Sequence, residues 1–232
     1  MKKVIALILG FSMVIGLGTV SAMAADSSHL DGCSNSKVKF DTDVSVEDPL
    51  KDFVPPSMDF LAEQTISRST TIRVNVTEPC DAQWRNLYPS NWMWQAHRRV
   101  INADEILANF GIQYYSVSQK YWTSNNTTPS ALVAEARDEW GLQDGADLMV
   151  AFTGRSGGNT MGIVTGIGHP YALIFHNGYE YDRETVQHET GHCYGLTHCY
   201  GSNCVMTAVG MGYINTLCSA HNTQWNNART WY

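Results

Sequence analysis

The stretch QHETGHCYGLTHC, from Gln187 to Cys199, constrains this chain more than any other. It sets His188 and His192 four residues apart. On a helix that spacing puts both imidazoles on one face, a turn apart, which suits two ligands of a tetrahedral zinc. Glu189 stands beside the first and can reach a water held at such a metal. Gly195 lets the chain leave the helix abruptly, because only glycine enters the left-handed region cheaply. The turned chain can then return His198 as a third ligand. Three protein ligands leave a fourth position for water, the mark of a catalytic site. A bare H-E-x-x-H also arises on ordinary helix faces. The longer H-E-x-x-H-x-x-G-x-x-H should arise by chance on the order of once in 10⁵ chains of this length.

The chain around this motif alternates between two periodicities. Thr71 to Val76 reads as a β-branched strand. Ser90 can cap a helix from Asn91 to Asn109, where Met93, Ala96, Val100, Ala103, Ile106 and Leu107 recur at three- and four-residue steps. Gly111 ends it, and Ile112 to Ser118 reads as a strand. Thr128, Pro129 and Gly141 bound a second helix. Ala146 to Thr153 is almost continuously apolar, as a strand inside a sheet is. Met161–Gly166 and Tyr171–His176 read as short strands. The helix of the motif follows, with Asp182 as its cap and Gly195 as its stop. Beyond Gly195 the chain is irregular until a short helix from Ser219. Alternating strands and helices predict the α/β class with a mostly parallel sheet.

Residues 1–24 carry Lys2 and Lys3, an apolar run and Ala22-Met23-Ala24, which together read as a secretory leader cleaved after Ala24. Its removal takes away two lysines and no acid, moving the formal charge from −7 to −9. That acidity argues against nucleic acid or an anionic membrane as partner. Residues 25–70 are acidic and irregular and read as an extension or short pro-segment, leaving 71–232 as one domain. All six cysteines lie beyond the leader.

The stretch HETGHCYGLTH fills every fixed position of the zinc motif of the metzincins, and the chain resembles that clan of zinc metalloendopeptidases. Met206, eight residues after His198, stands where the clan's Met-turn is expected. The order of strands and helices from Thr71 onward is similar to the adamalysin/reprolysin type, although Cys199 replaces the aspartate usual there. Cys199-x4-Cys204-x-Met206 is instead similar to archaemetzincins, which hold a second zinc through a later C-x-x-C; here that element is Cys218-Ser-Ala-His221. Ala208 occupies the position of the tyrosine ligand found in astacins and serralysins, so no fifth ligand is expected.

The resemblance implies a metzincin-like catalytic domain: a twisted, mostly parallel sheet with an antiparallel edge strand, a zinc helix, and an irregular C-terminal subdomain with Met-turn and final helix. It implies a secreted zinc endopeptidase, one zinc per chain on His188, His192 and His198, with Glu189 as general base. Calcium is left open. The edge strand at Gly162, Ile163 and Val164 would take an extended protein or peptide substrate. Thr207 to Tyr213 would wall the adjoining pocket. A monomer is expected, with no membrane partner once the leader is gone. The rival reading is a secreted binding or adhesion protein that kept the fold and lost turnover; the intact histidines and glutamate weigh against it.

Two readings of the cysteines remain. Cys199, Cys204, Cys218 and His221 make a Cys₃His set at zinc-site spacings. An oxidising compartment favours disulfides instead, as Cys33–Cys80, Cys193–Cys218 and Cys199–Cys204. The disulfide reading is the expectation. In it, Cys33 could alternatively act as a pro-segment latch on the zinc. His29, His97, His169 and His176 read as solvated or locally bonded, and Trp84 and Trp122 as core.

Overall fold

The computed structural model describes residues 71–201, 203–208 and 214–232. The expected leader, the 25–70 extension and Cys33 lie outside the described residues, as do residues 209–213 of the expected pocket wall. Five strands form one sheet: β1 (Ile72–Asp81), β2 (Ile112–Trp122), β3 (Leu148–Thr153), β4 (Gly162–Val164) and β5 (Tyr171–Phe175). Their order is β2-β1-β3-β5-β4. Every neighbouring pair is parallel except β4 with β5. The mostly parallel sheet and the antiparallel edge are therefore both present.

Helices cover both faces. The strands alternate side chains between two apolar clusters, as their period of two requires. Leu148, Val150 and Phe152 of β3, with Ala172 and Ile174 of β5, point to one face. There they meet α2 (Trp92–Ile101), α4 (Tyr179–Cys193) and α5 (Ser219–Ala228). Met149, Ala151, Leu173 and Phe175 point to the other, against Leu132, Val133 and Ala136 of α3 (Pro129–Glu139). A short α1 (Ala82–Leu87) follows β1, its first turn capped by the Asp81 carboxylate accepting from Trp84 N. Trp84 and Trp122 are fully buried. Among the described residues no helix is long and apolar enough to cross a membrane.

Three expectations shift. β1 runs on past Val76 through polar residues, because each finds a partner inside: Thr77 Oγ1 bonds Ser118 Oγ at 2.8 Å and Glu78 accepts from Gln119 at 2.9 Å. The helix expected to Asn109 ends at Ile101 and continues as 3₁₀ turns at Asn102–Asp104 and Leu107–Phe110. The apolar positions Ala103, Ile106 and Leu107 are buried all the same. Asp182 does not start α4, whose N-cap is Gly178. Its carboxylate reaches back to accept from Asn177 N at 2.7 Å and pairs with Arg99 of α2 at 2.8 Å, both side chains fully buried. That buried pair fixes the first turn of α4 against α2; removing either partner would strand a charge in the core. His176 also bonds Asp182, at 2.7 Å, as a locally bonded histidine.

Candidate metal centre

Helix α4 carries the first two histidines on one face, and their Nε2 atoms lie 3.1 Å apart. At the end of α4, Gly195 takes φ +85°, and Leu196 N turns back to bond Gly191 O at 3.0 Å. That left-handed exit is where glycine is needed. It brings His198 round, so that its ring centroid stands 5.3 Å from His188 and 4.8 Å from His192. The three histidines offer ligand atoms that all lie within 4.8 Å of one another. His198 is the exposed member and the other two are buried.

The outer nitrogens settle what the inner ones are. His188 Nδ1 donates to the Val205 carbonyl and His192 Nδ1 to the Leu196 carbonyl, each at 2.7 Å. A carbonyl can only accept, so both Nδ1 atoms carry the hydrogen, and in neutral rings both Nε2 atoms are bare acceptors. Burial keeps the rings neutral: it is the main cause pushing His188 down to about 3, with the neighbouring His192 adding to it, and it lowers His192 as well. Two lone pairs facing each other at this distance, with a third imidazole beside them, form a donor set that fits a cation.

Two residues hold this arrangement from beneath. Met206 is fully buried and packs directly on Gly191, where an added Cβ would run into its sulfur. Val205, next to it, supplies the carbonyl that orients His188. Glu189 lies against Gly162 of β4. It is 4% exposed, and burial pushes its carboxyl up to about 8. A cation at the histidines would draw it back toward the ionised form. Of the expected pocket wall, Thr207 and Ala208 are described, and Thr207 N bonds Cys204 O at 2.9 Å.

The cysteines depart from the expected pairing. Among the described residues no disulfide joins them. Cys199, Cys204, Cys218 and His221 instead bring their ligand atoms within 4.8 Å of one another. Cys218 Sγ lies 4.0 Å from Cys199 Sγ and 3.0 Å from His221 Nδ1, and Cys204 Sγ lies 3.6 Å from the same nitrogen. So neither Cys193–Cys218 nor Cys199–Cys204 is formed. Cys218 is the N-cap of α5 and His221 comes one turn in, so the helix start presents both to the loop. Cys193 stays buried on α4, where burial raises its thiol pKa and Tyr232 donates to its carbonyl at 2.9 Å. Cys80 is likewise buried, and its expected partner Cys33 lies outside the described residues.

Sequence reasoning missed the carbonyls of Val205 and Leu196, which no side-chain pattern announces. It also passed over Gly191, although a glycine inside the helix between two ligands is a sign of close packing beneath. His221 was in view and lost to the even cysteine count.

Fold and site together define an α/β domain with two side-chain clusters, each of which could hold a metal ion. No family model matches the chain, and no curated protein matches it. Among solved structures, one chain of a "Structure of a chaperone-substrate complex" is similar, with 12% identity and a TM-score of 0.53 over 68% of this chain and 34% of that one. This chain thus spans about a third of the length of the solved chain it matches. At that identity the likeness is one of fold.

Proposed function

We propose that the protein is an exported zinc endopeptidase of metzincin type, with zinc on His188, His192 and His198 and Glu189 as general base. The observation that carries this is the pair of bare Nε2 atoms 3.1 Å apart, each fixed by a carbonyl behind it. The glutamate one residue from the first ligand and the exposed third histidine add a base and an open side. When bound, zinc supplies a Lewis acid that polarises a carbonyl and acidifies water.

The chain's own residues do the rest. The Val205 and Leu196 carbonyls hold the two buried imidazoles in the ligating tautomer. Glu189 takes the proton of the attacking water on a carboxylate oxygen and later gives it to the leaving amine. The free side of β4, last in the sheet, lays out an extended peptide by main-chain hydrogen bonds. The Cys₃His cluster belongs to the same reading as a structural zinc site: four donors, rich in soft thiolate sulfur, leave no position for water.

A casein zymogram of the secreted protein, with and without a chelator, tests the proposal. Clearing that the chelator abolishes and added zinc restores is expected. A folded, metal-loaded protein that clears nothing would move it to the binding or adhesion class.

A further inference from the structure

Gly162 is not a glycine for conformational reasons, since it is not among the positive-φ glycines of the described chain. Space is the reason. An ideal Cβ at 162 would stand 2.5 Å from Thr185 Cγ2, 2.6 Å from Glu189 Cγ and 2.7 Å from Glu189 Oε1. Real Cβ atoms essentially never approach so closely, so either the glutamate or the strand would have to move.

The same residue lies on the open edge of the sheet. Met161 O accepts from Phe175 N at 2.8 Å and Thr165 N donates to Tyr171 O at 3.1 Å, with Ile163 opposite Leu173 between them. In an antiparallel pair the inward-bonding residues alternate. Residues 161, 163 and 165 therefore bond β5, and Gly162 and Val164 turn their N–H and C=O toward the unpaired side. Side chains alternate as well: Ile163 packs with the α3-side cluster and Val164 with the α4-side cluster. A side chain at 162 would thus point at α4, the helix that carries Glu189.

From these two facts we infer that Gly162 is a positioning residue: its bare Cα sets how far the Glu189 carboxylate reaches toward a peptide laid along the outer edge of β4. This rests on the endopeptidase reading. One residue then does two things. Its main chain meets the substrate, and its missing side chain lets the base stand against that same strand. Val164, the other residue whose main chain faces the open side, packs its side chain on the α4-side cluster. Shifting a reacting group by about 1 Å costs on the order of 10²-fold in rate.

The test compares Gly162→Ala with Gly162→Ala/Thr185→Ser in the full chain, reading kcat, KM, metal per chain and a crystal structure. The serine removes the Thr185 methyl and leaves the glutamate contact in place. In Gly162→Ala, kcat should fall about 10²-fold. KM should stay within about threefold and both metals should be retained, because the outward N–H and C=O of residue 162 and the metal donors are kept and the glutamate side chain is what gives way. The double variant should keep the low kcat while recovering any lost stability, and it serves if the single variant folds poorly. A kcat within about threefold of wild type in either folded, metal-loaded variant would overturn the inference. If the wild type cleaves no peptide, the endopeptidase reading fails, and the crystal structure decides this one. A displaced Glu189 carboxylate supports it; an added methyl accommodated with the carboxylate unmoved refutes it.

Discussion

His198 and Cys199 are neighbours in the chain but belong to clusters of opposite kind. The histidine cluster ends on an exposed ring. In the other, Cys199 is 4% exposed, Cys204 0% and His221 1%. The first offers three donors, one of them exposed; the second offers four, of which only Cys218 is partly exposed. Under the proposed function, that difference separates chemistry from bracing. It also gives the two an order, because the loop of the closed cluster builds the floor of the open one. Cys199 N donates to Met206 O at 2.7 Å, and Val205, between Cys204 and Met206, supplies the carbonyl that orients His188.

Breaking the chemistry alone should have the largest effect. Glu189→Ala should lower kcat by about 10²- to 10⁴-fold, the usual worth of a general base, with both metals retained. Retention of more than about a tenth of the rate would remove Glu189 from that role. Breaking the brace should reach both clusters. Cys204→Ser should empty the closed cluster and weaken zinc at the open one by about 10- to 100-fold, as lost outer-shell support does. His192→Ala should empty the open cluster only. Metal analysis of the two variants checks this asymmetry, and a fully active Cys204→Ser protein would abolish it.

Timed chelation sharpens the same contrast. The exposed cluster should release its metal first, so that activity vanishes while about one metal per chain remains. Loss of both metals at one rate would mean that they are equally accessible. The smallest effect should come from Met206→Leu, an exchange that keeps volume. It should cost under about 1.5 kcal/mol by thermal unfolding and leave metal content unchanged. A larger loss, with metal released, would give the sulfur a part beyond packing.

What the sequence made legible was local. His188, Glu189, His192, Gly195 and His198 are bound to one another by helix period and one turn, and β3, β5 and α3 announce themselves by apolar runs and end signals. What it hid depends on partners distant in the chain. The tail of β1 is polar and reads as loop until Ser118 and Gln119 of β2 meet it. Asp182 reads as a cap until Arg99 of α2 claims its carboxylate. Spacing offered Cys199, Cys204, Cys218 and His221 as one of two readings; that they meet unbridged depends on the loop path that sets the start of α5 beside the motif. An even cysteine count behind an expected secretory leader pointed to disulfides; a histidine one turn beyond the last cysteine was the counter-signal.

Each of the two clusters is proposed to hold one metal ion. Native intact mass of the full chain under non-reducing conditions, with zinc counted on the same sample, tests this directly. Two zinc ions per chain and no disulfide among Cys193, Cys199, Cys204 and Cys218 are expected. One zinc or none, with Cys199 bonded to Cys204 and Cys193 to Cys218, would contradict it.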